Sequence, residues 1–229
     1  MPYLFSSNDE KIDTTNFTYY RSGNFSDVYK SGDILLKIYK ESTTYKYYMS
    51  RRLFLLLKKY NIPNLVKLID YYHNYCGKVD KFLPMDAYTM EFVKDKKILL
   101  TEMSLEYIDK VVDMLEETLE ELSKNHILIE DSHEGNILFT ENGVTMLDPD
   151  QYLHANILTR NFIYQLNKEK IIKAMNDTIN TEICNEGYRG FISYIYPTIR
   201  GSLTKDIKTY LKETKVKESI KKDILKLKK

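Results

Sequence analysis

The stretch Asp131-Ser132-His133-Glu134-Gly135-Asn136-Ile137-Leu138, followed by Leu147-Asp148-Pro149-Asp150, decides how this chain is read. It sets an aspartate, an asparagine five positions on, and a second aspartate twelve beyond that. Ile127-Leu128-Ile129 before it and Ile137-Leu138 at its end read as short strands, so the polar groups would sit on loops with anchored ends. Asn142-Gly143 is expected to turn a hairpin between the two segments. A carboxylate facing a hydroxyl, with an amide and a carboxylate sharing a metal ion, is the set that phosphoryl transfer from Mg-ATP requires.

Composition bounds the classes open to the chain. A length of 229 residues allows one domain or two small lobes around a real core. With 43% apolar and 29% charged residues it reads as an ordinary globular protein rather than a disordered one. A formal charge of +1 gives no overall pull toward nucleic acid or a membrane surface. Cys76 and Cys184 match no metal-site spacing and point to a reducing compartment, so the expected location is the cytoplasm. A bacterial effector secreted from it would carry the same features. The N-terminal residues have neither the basic start nor the apolar core of a secretory signal. Leu53-Phe54-Leu55-Leu56-Leu57, the longest apolar run, is far too short to span a bilayer.

Residues 17 to 39 read as three short strands. Phe17-Thr18-Tyr19-Tyr20 leads to a turn at Gly23-Asn24, Phe25 to Tyr29 is the second strand, and Ser31-Gly32-Asp33 closes a hairpin into Ile34-Leu35-Leu36-Lys37-Ile38-Tyr39. Lys37 is a cation in an apolar strand. It is either an edge-strand lysine that blocks aggregation or a group reaching toward phosphates under the first hairpin. Met49 to Tyr60 is dense enough in apolar residues for a buried helix, and Ala87-Tyr88-Thr89-Met90-Glu91-Phe92-Val93 reads as a buried strand. Leu105, Ile108, Val112, Leu115, Leu119 and Leu122 step by three and four, one apolar stripe on a helix ending near Asn125.

In this order the segments resemble the protein-kinase-like superfamily. Ser22-Gly23-Asn24-Phe25-Ser26-Asp27-Val28-Tyr29-Lys30 is similar to the latter half of its glycine-rich loop, with Gly23 at the second glycine, Ser26 at the third and Val28 over the adenine. Arg21 stands at the first glycine, and Lys37 matches the lysine of the third strand. Met90 falls near the gatekeeper position, so Glu91 and Val93 would offer backbone groups to an adenine edge. Asp131-x-His133-x-Gly135-Asn136 and Asp148-Pro149-Asp150 look closest to the branch of aminoglycoside and choline phosphotransferases and lipopolysaccharide kinases.

The resemblance implies roles. Asp131 would accept or orient the acceptor hydroxyl, Lys37 would hold the nucleotide phosphates, and Asn136 and Asp148 would bind magnesium. Asp150 would either add a metal-side carboxylate or cap the helix that follows, and His133 is expected to brace the loop. The family's helix-borne glutamate, partner of the strand lysine, should fall near Leu53. Arg51 and Arg52 flank that position and no acid lies between Glu41 and Asp70, so the partner is either missing or Glu41.

The expected architecture is α+β and bilobal. Residues 1–93 would form a small antiparallel N-lobe sheet with one helix, and residues 94–229 a reduced, mainly helical C-lobe. The implied activity is an atypical kinase, an ATP- and Mg-dependent phosphotransferase acting on a hydroxyl of a protein or small molecule. The alternative is a pseudokinase serving as a nucleotide-binding or regulatory module. Residues 202–229 carry ten lysines against four acids, a basic amphipathic end suited to packing as a terminal helix or to meeting an acidic partner or membrane surface.

Overall fold

The computed structural model describes residues 4–41, 48–74, 86–94, 97–99, 104–131 and 133–185. The basic segment 202–229 and Cys76 lie outside the described residues. The N-terminal part is a five-stranded antiparallel sheet of β1 (Thr18–Ser22), β2 (Ser26–Ser31), β3 (Ile34–Tyr39), β4 (Leu68–Tyr72) and β5 (Ala87–Glu91), in the order β1-β2-β3-β5-β4. Gly32 at φ 54 starts the two-residue turn that joins β2 to β3, a conformation that costs glycine nothing.

β3 is the middle strand and pairs with both β2 and β5. This overturns the edge-strand reading of Lys37. Successive side chains of a strand alternate in face. Leu36 and Ile38 accordingly join Leu4 and Ala87 in a small outer cluster, while Leu35 and Tyr39 face the main core. Lys37 shares the latter face, which is why a buried strand can hold a cation toward the rest of the molecule.

Helix α1 (Arg51–Tyr60) starts where the Ser50 hydroxyl accepts the Leu53 amide, and ends at Asn61 in the left-handed region, φ 47. It buries Leu53, Phe54 and Leu57 against the sheet. The second part is built on α2 (Leu105–Lys124) and α3 (Arg160–Asn185), which pack together. Val112, Leu115, Leu119 and Leu122 of the expected stripe are fully buried on α2. Between the helices lie β6 (Ile127–Ile129), β7 (Ile137–Thr140), β8 (Gly143–Met146) and β9 (Tyr152–His154). β6 pairs with β9, and β7 with β8.

The β7–β8 turn consists of Glu141 and Asn142, since Thr140 is opposite Gly143. This corrects the expectation of an Asn142-Gly143 turn. Gly143 instead opens β8 at φ 131, beneath Met114, whose sulfur occupies the space a Cβ would need. No helix among the described residues is long and apolar enough to cross a membrane. A small antiparallel sheet with one helix thus packs on a mainly helical part, a two-lobed α+β fold.

Candidate active site

Lys37 is 5% exposed, and its ammonium is held by two carboxylates, Asp148 Oδ1 at 2.5 Å and Asp150 Oδ2 at 2.6 Å. Neither α1 nor Glu41 supplies its acidic partner. Both acids come instead from the Asp148-Pro149-Asp150 segment, across the cleft from β3. The hydroxyl of Tyr88, fully buried on β5, donates to the other Asp150 oxygen at 2.6 Å. Tyr88 is directly opposite Lys37 in the β3–β5 register, so the strand pair delivers the cation and the phenol together. Asp150 therefore does not cap a helix. Its two oxygens are taken by Lys37 and Tyr88.

Burial alone would lower the pKa of Lys37, but Asp150 and then Asp148 outweigh it, and the net shift is upward. Asp148 shows the converse. Burial raises its carboxyl, yet Lys37, with a smaller pull from Arg21, brings the net shift below the usual carboxylate value. Asp150 is pushed up to about 6 by burial and by the neighbouring Asp148 charge, against the pull of Lys37. Asp148 adopts φ 52, a left-handed conformation that aspartate tolerates better than most residues. It opens the short 3-10 turn Pro149–Gln151, and this bend aims residues 148 and 150 at one lysine.

The lysine stands at the inner end of a cleft of about 480 Å³. Val28 and Leu35 of the sheet, Leu138 and Leu147 of the second part, and Val66 and Met90 line it with apolar surface. Gly23, Ser26, Glu91, Val93, Asn136 and Asp148 also line it, so the expected nucleotide-contacting residues and two expected metal ligands converge. At the strand's end the Glu91 amide donates to Lys67 O and the Phe92 amide to Asp33 O. Among the described residues the Val93 amide donates to no protein group.

A second cavity of about 440 Å³ adjoins the first, sharing Arg21, Lys37, Asn136 and Asp148 with it. It adds Asp131 and Asp150. Strand β6 carries the chain to Asp131, and the Glu130 amide donates to Gln151 O, tying the two loops together. The Gln151 side chain donates to Asp131 Oδ2 at 3.1 Å, and Asp131 lines the cavity. His133 Nδ1 accepts the Gly135 amide and so braces the loop, as expected. The Leu147 amide donates to Asn136 O, which brings Asn136 beside Asp148.

Tyr88, Gln151 and Arg21 are site residues that the motif reading passed over as partners. Only Arg21 left a mark in the sequence, a large cation where the resemblance called for glycine. Among the described residues no cluster of three His, Cys, Asp or Glu side chains could hold a metal by itself. One carboxylate and one amide nevertheless fit magnesium, which takes few protein ligands and completes its shell with water and phosphate oxygens.

No protein-family model and no curated protein matches this chain. Among solved structures, the Cydia pomonella granulovirus kinase PK-1 is similar at a TM-score of 0.45 and 17% identity. The match covers 61% of this chain and 53% of that one, so this chain spans about half the length of that structure.

Proposed function

We propose that this protein is an ATP-dependent phosphotransferase that moves the terminal phosphoryl group to a hydroxyl of a protein or small molecule. One observation carries the reading. A cleft of about 480 Å³ lined by Val28, Leu35, Val66, Met90, Leu138 and Leu147 also carries Lys37, Asn136 and Asp148, and Asp131 lines the adjoining cavity. The base would lie between Val28 and Leu138, with the Val93 amide donating to its edge. Asn136 and Asp148 would hold magnesium, which when bound draws charge from the β- and γ-phosphate oxygens. Asp131 takes the proton from the acceptor hydroxyl. That oxygen then bonds to the γ-phosphorus while the bond from phosphorus to the bridging oxygen breaks, leaving ADP.

The double pairing of Lys37 supports a second reading, a module that binds nucleotide without transfer, because the lysine's charge is already met. One set of variants separates the two. The melting temperature is measured with ATP in magnesium and in EDTA, for the wild type, Asp148→Asn and Asp131→Asn. Ligand at a hundredfold its Kd stabilises by about 2.7 kcal/mol. Phosphotransferase function predicts a magnesium-dependent shift that Asp148→Asn reduces and Asp131→Asn keeps. It also predicts release of ADP by the wild type and none by Asp131→Asn. A shift without ADP release favours the binding module, and no shift with any nucleotide rules out both.

A further inference from the structure

β1 and β2 do not pair regularly. Tyr19 is opposite Tyr29, yet Arg21 is opposite Val28, so Tyr20 is an extra residue on β1. Such a bulge re-aims the side chains that follow it. In unbroken register Arg21 would face Asp27, whose carboxylate is engaged by the Ser22 hydroxyl at 2.6 Å. The bulge places it opposite Val28 instead. Directly opposed residues of an antiparallel pair share a face, and Val28 is a wall of the cleft. Arg21 accordingly lines both cavities, at the end where Lys37, Asn136 and Asp148 meet.

The charge at that end makes the position matter. Asp131, Asp148 and Asp150 are all there, and Lys37 is committed to two of them. A polyphosphate entering would meet more negative charge than positive. The other nearby cations are occupied. Lys40 donates to the Ser22 hydroxyl at 2.8 Å and to Gly23 O at 2.6 Å, and Lys94 is paired with Asp33. The loop offers little in their place, because the Gly23 amide already donates to Ser26 O at 2.8 Å. The Arg21 side chain forms no ion pair or hydrogen bond among the described residues, and its charge reaches Asp148 only as a weak through-space pull.

We infer that Arg21 is a phosphate-binding residue of this cleft, its guanidinium gripping the nucleotide's polyphosphate chain where a glycine-rich loop would use backbone amides. The inference rests on the nucleotide reading of the cleft. It gives the site the cation that Lys37, tied to two acids, does not supply. A planar guanidinium suits the task, since it can donate two parallel hydrogen bonds to phosphate oxygens.

The test is calorimetric titration of the wild type, Arg21→Ala and Arg21→Lys with three probes: MgATP, magnesium tripolyphosphate and adenosine. β1 is exposed along its whole length, so both variants should fold, and a thermal melt checks this. Arg21→Ala should weaken MgATP and tripolyphosphate about 10- to 100-fold, the worth of one or two charge-assisted hydrogen bonds, and leave adenosine unchanged. Arg21→Lys should recover only part of the loss. MgATP affinity unchanged in Arg21→Ala, or adenosine weakened as much as MgATP, would overturn the assignment. Tripolyphosphate binding that needs Arg21, in a protein that ignores adenosine, would uphold the anion site and sink the nucleotide reading. A wild type that binds none of the three overturns both.

Discussion

Lys37 sits between two carboxylates whose surroundings differ, and the difference assigns them separate tasks. The Asp150 side chain is 8% exposed and closed in by Tyr88, whereas that of Asp148 is 34% exposed and borders both cavities. Asp150 is therefore the fixed anchor of the lysine, and on the proposed function Asp148 would be the one to exchange the lysine for a metal. Breaking a buried pair from one side costs about 3–5 kcal/mol, because the partner charge stays buried. Asp150→Ala should lower stability by that amount in urea unfolding, and Asp148→Ala by clearly less. Equal losses would refute the division of tasks. The pair also sets a pH dependence. The folded Asp150 carboxyl is raised from 3.8 to about 6, so the folded protein keeps a proton there that the unfolded chain releases. The stability this brings is complete below about pH 4 and is lost as pH rises through about 6. In magnesium-free buffer the Asp150 carboxyl carbon should titrate near pH 6 by NMR. Asp148→Asn should move that midpoint down by removing the repelling charge, and Lys37→Met should move it up by removing the attracting one. A wild-type midpoint near 4 would show that Asp150 is not held as described.

The loop bearing Asp131 depends on a short strand that could not hold its place unaided. β6 has three residues and pairs only with β9. Two of its other backbone groups are met from α3, where the fully buried Asn167 accepts the Ile129 amide and donates to Ile127 O, each at 2.8 Å. One turn on, Lys170 donates to Glu130 O at 2.6 Å. Asn167→Leu should fill much of the space but strand both backbone groups, at about 1–3 kcal/mol for each. The Ile129 amide should then exchange hydrogen faster than amides of β3, which the substitution does not touch. Uniform acceleration throughout the protein would instead mean a general loss of stability. At the other end of α2, the Tyr107 hydroxyl shares its one proton between Thr140 O and Gly143 O, the latter at 2.9 Å, and so holds both sides of the β7–β8 turn. Gly143→Ala would strain a backbone at φ 131 and push on Met114, so it should destabilise despite adding only a methyl group. The sequence located this hairpin correctly but shifted its turn by one residue. A glycine after asparagine suggests a turn, whereas here its role is to clear Met114.

Element order and apolar periodicity made most of the fold legible: the three N-terminal strands, α1, α2 and β6 lie where the residues suggested. What escaped the sequence depended on contacts between distant segments. Lys37 and Asp148 are 111 positions apart, and the search for the lysine's partner turned to α1 because the resemblance pointed there. The bulge at Tyr20 has no signature in a run of tyrosines, and Asn167 looks like any polar residue on a helix. The joint between the two parts was equally hidden, though it ties the part that carries Lys37 to the part that carries Asn136. Residues 64–66 run beside β8, with the Met146 amide donating to Asn64 O at 2.6 Å and the Val66 amide to Met146 O at 2.9 Å. The Asn64 side chain then donates to Met114 O and to the Thr118 hydroxyl on α2. Its backbone is left-handed at φ 58, which asparagine accepts more readily than alanine. Two substitutions separate these contributions. Asn64→Gly keeps the backbone easy and loses the side-chain bonds, whereas Asn64→Ala loses the bonds and strains the backbone, and so should be the less stable by about 1 kcal/mol. Both should weaken MgATP binding, because the seam sets the cleft rather than merely the melting point. Equal stability of the two variants would remove the backbone from the account. Unchanged MgATP affinity in both would mean that the lobes hold their relation without this seam.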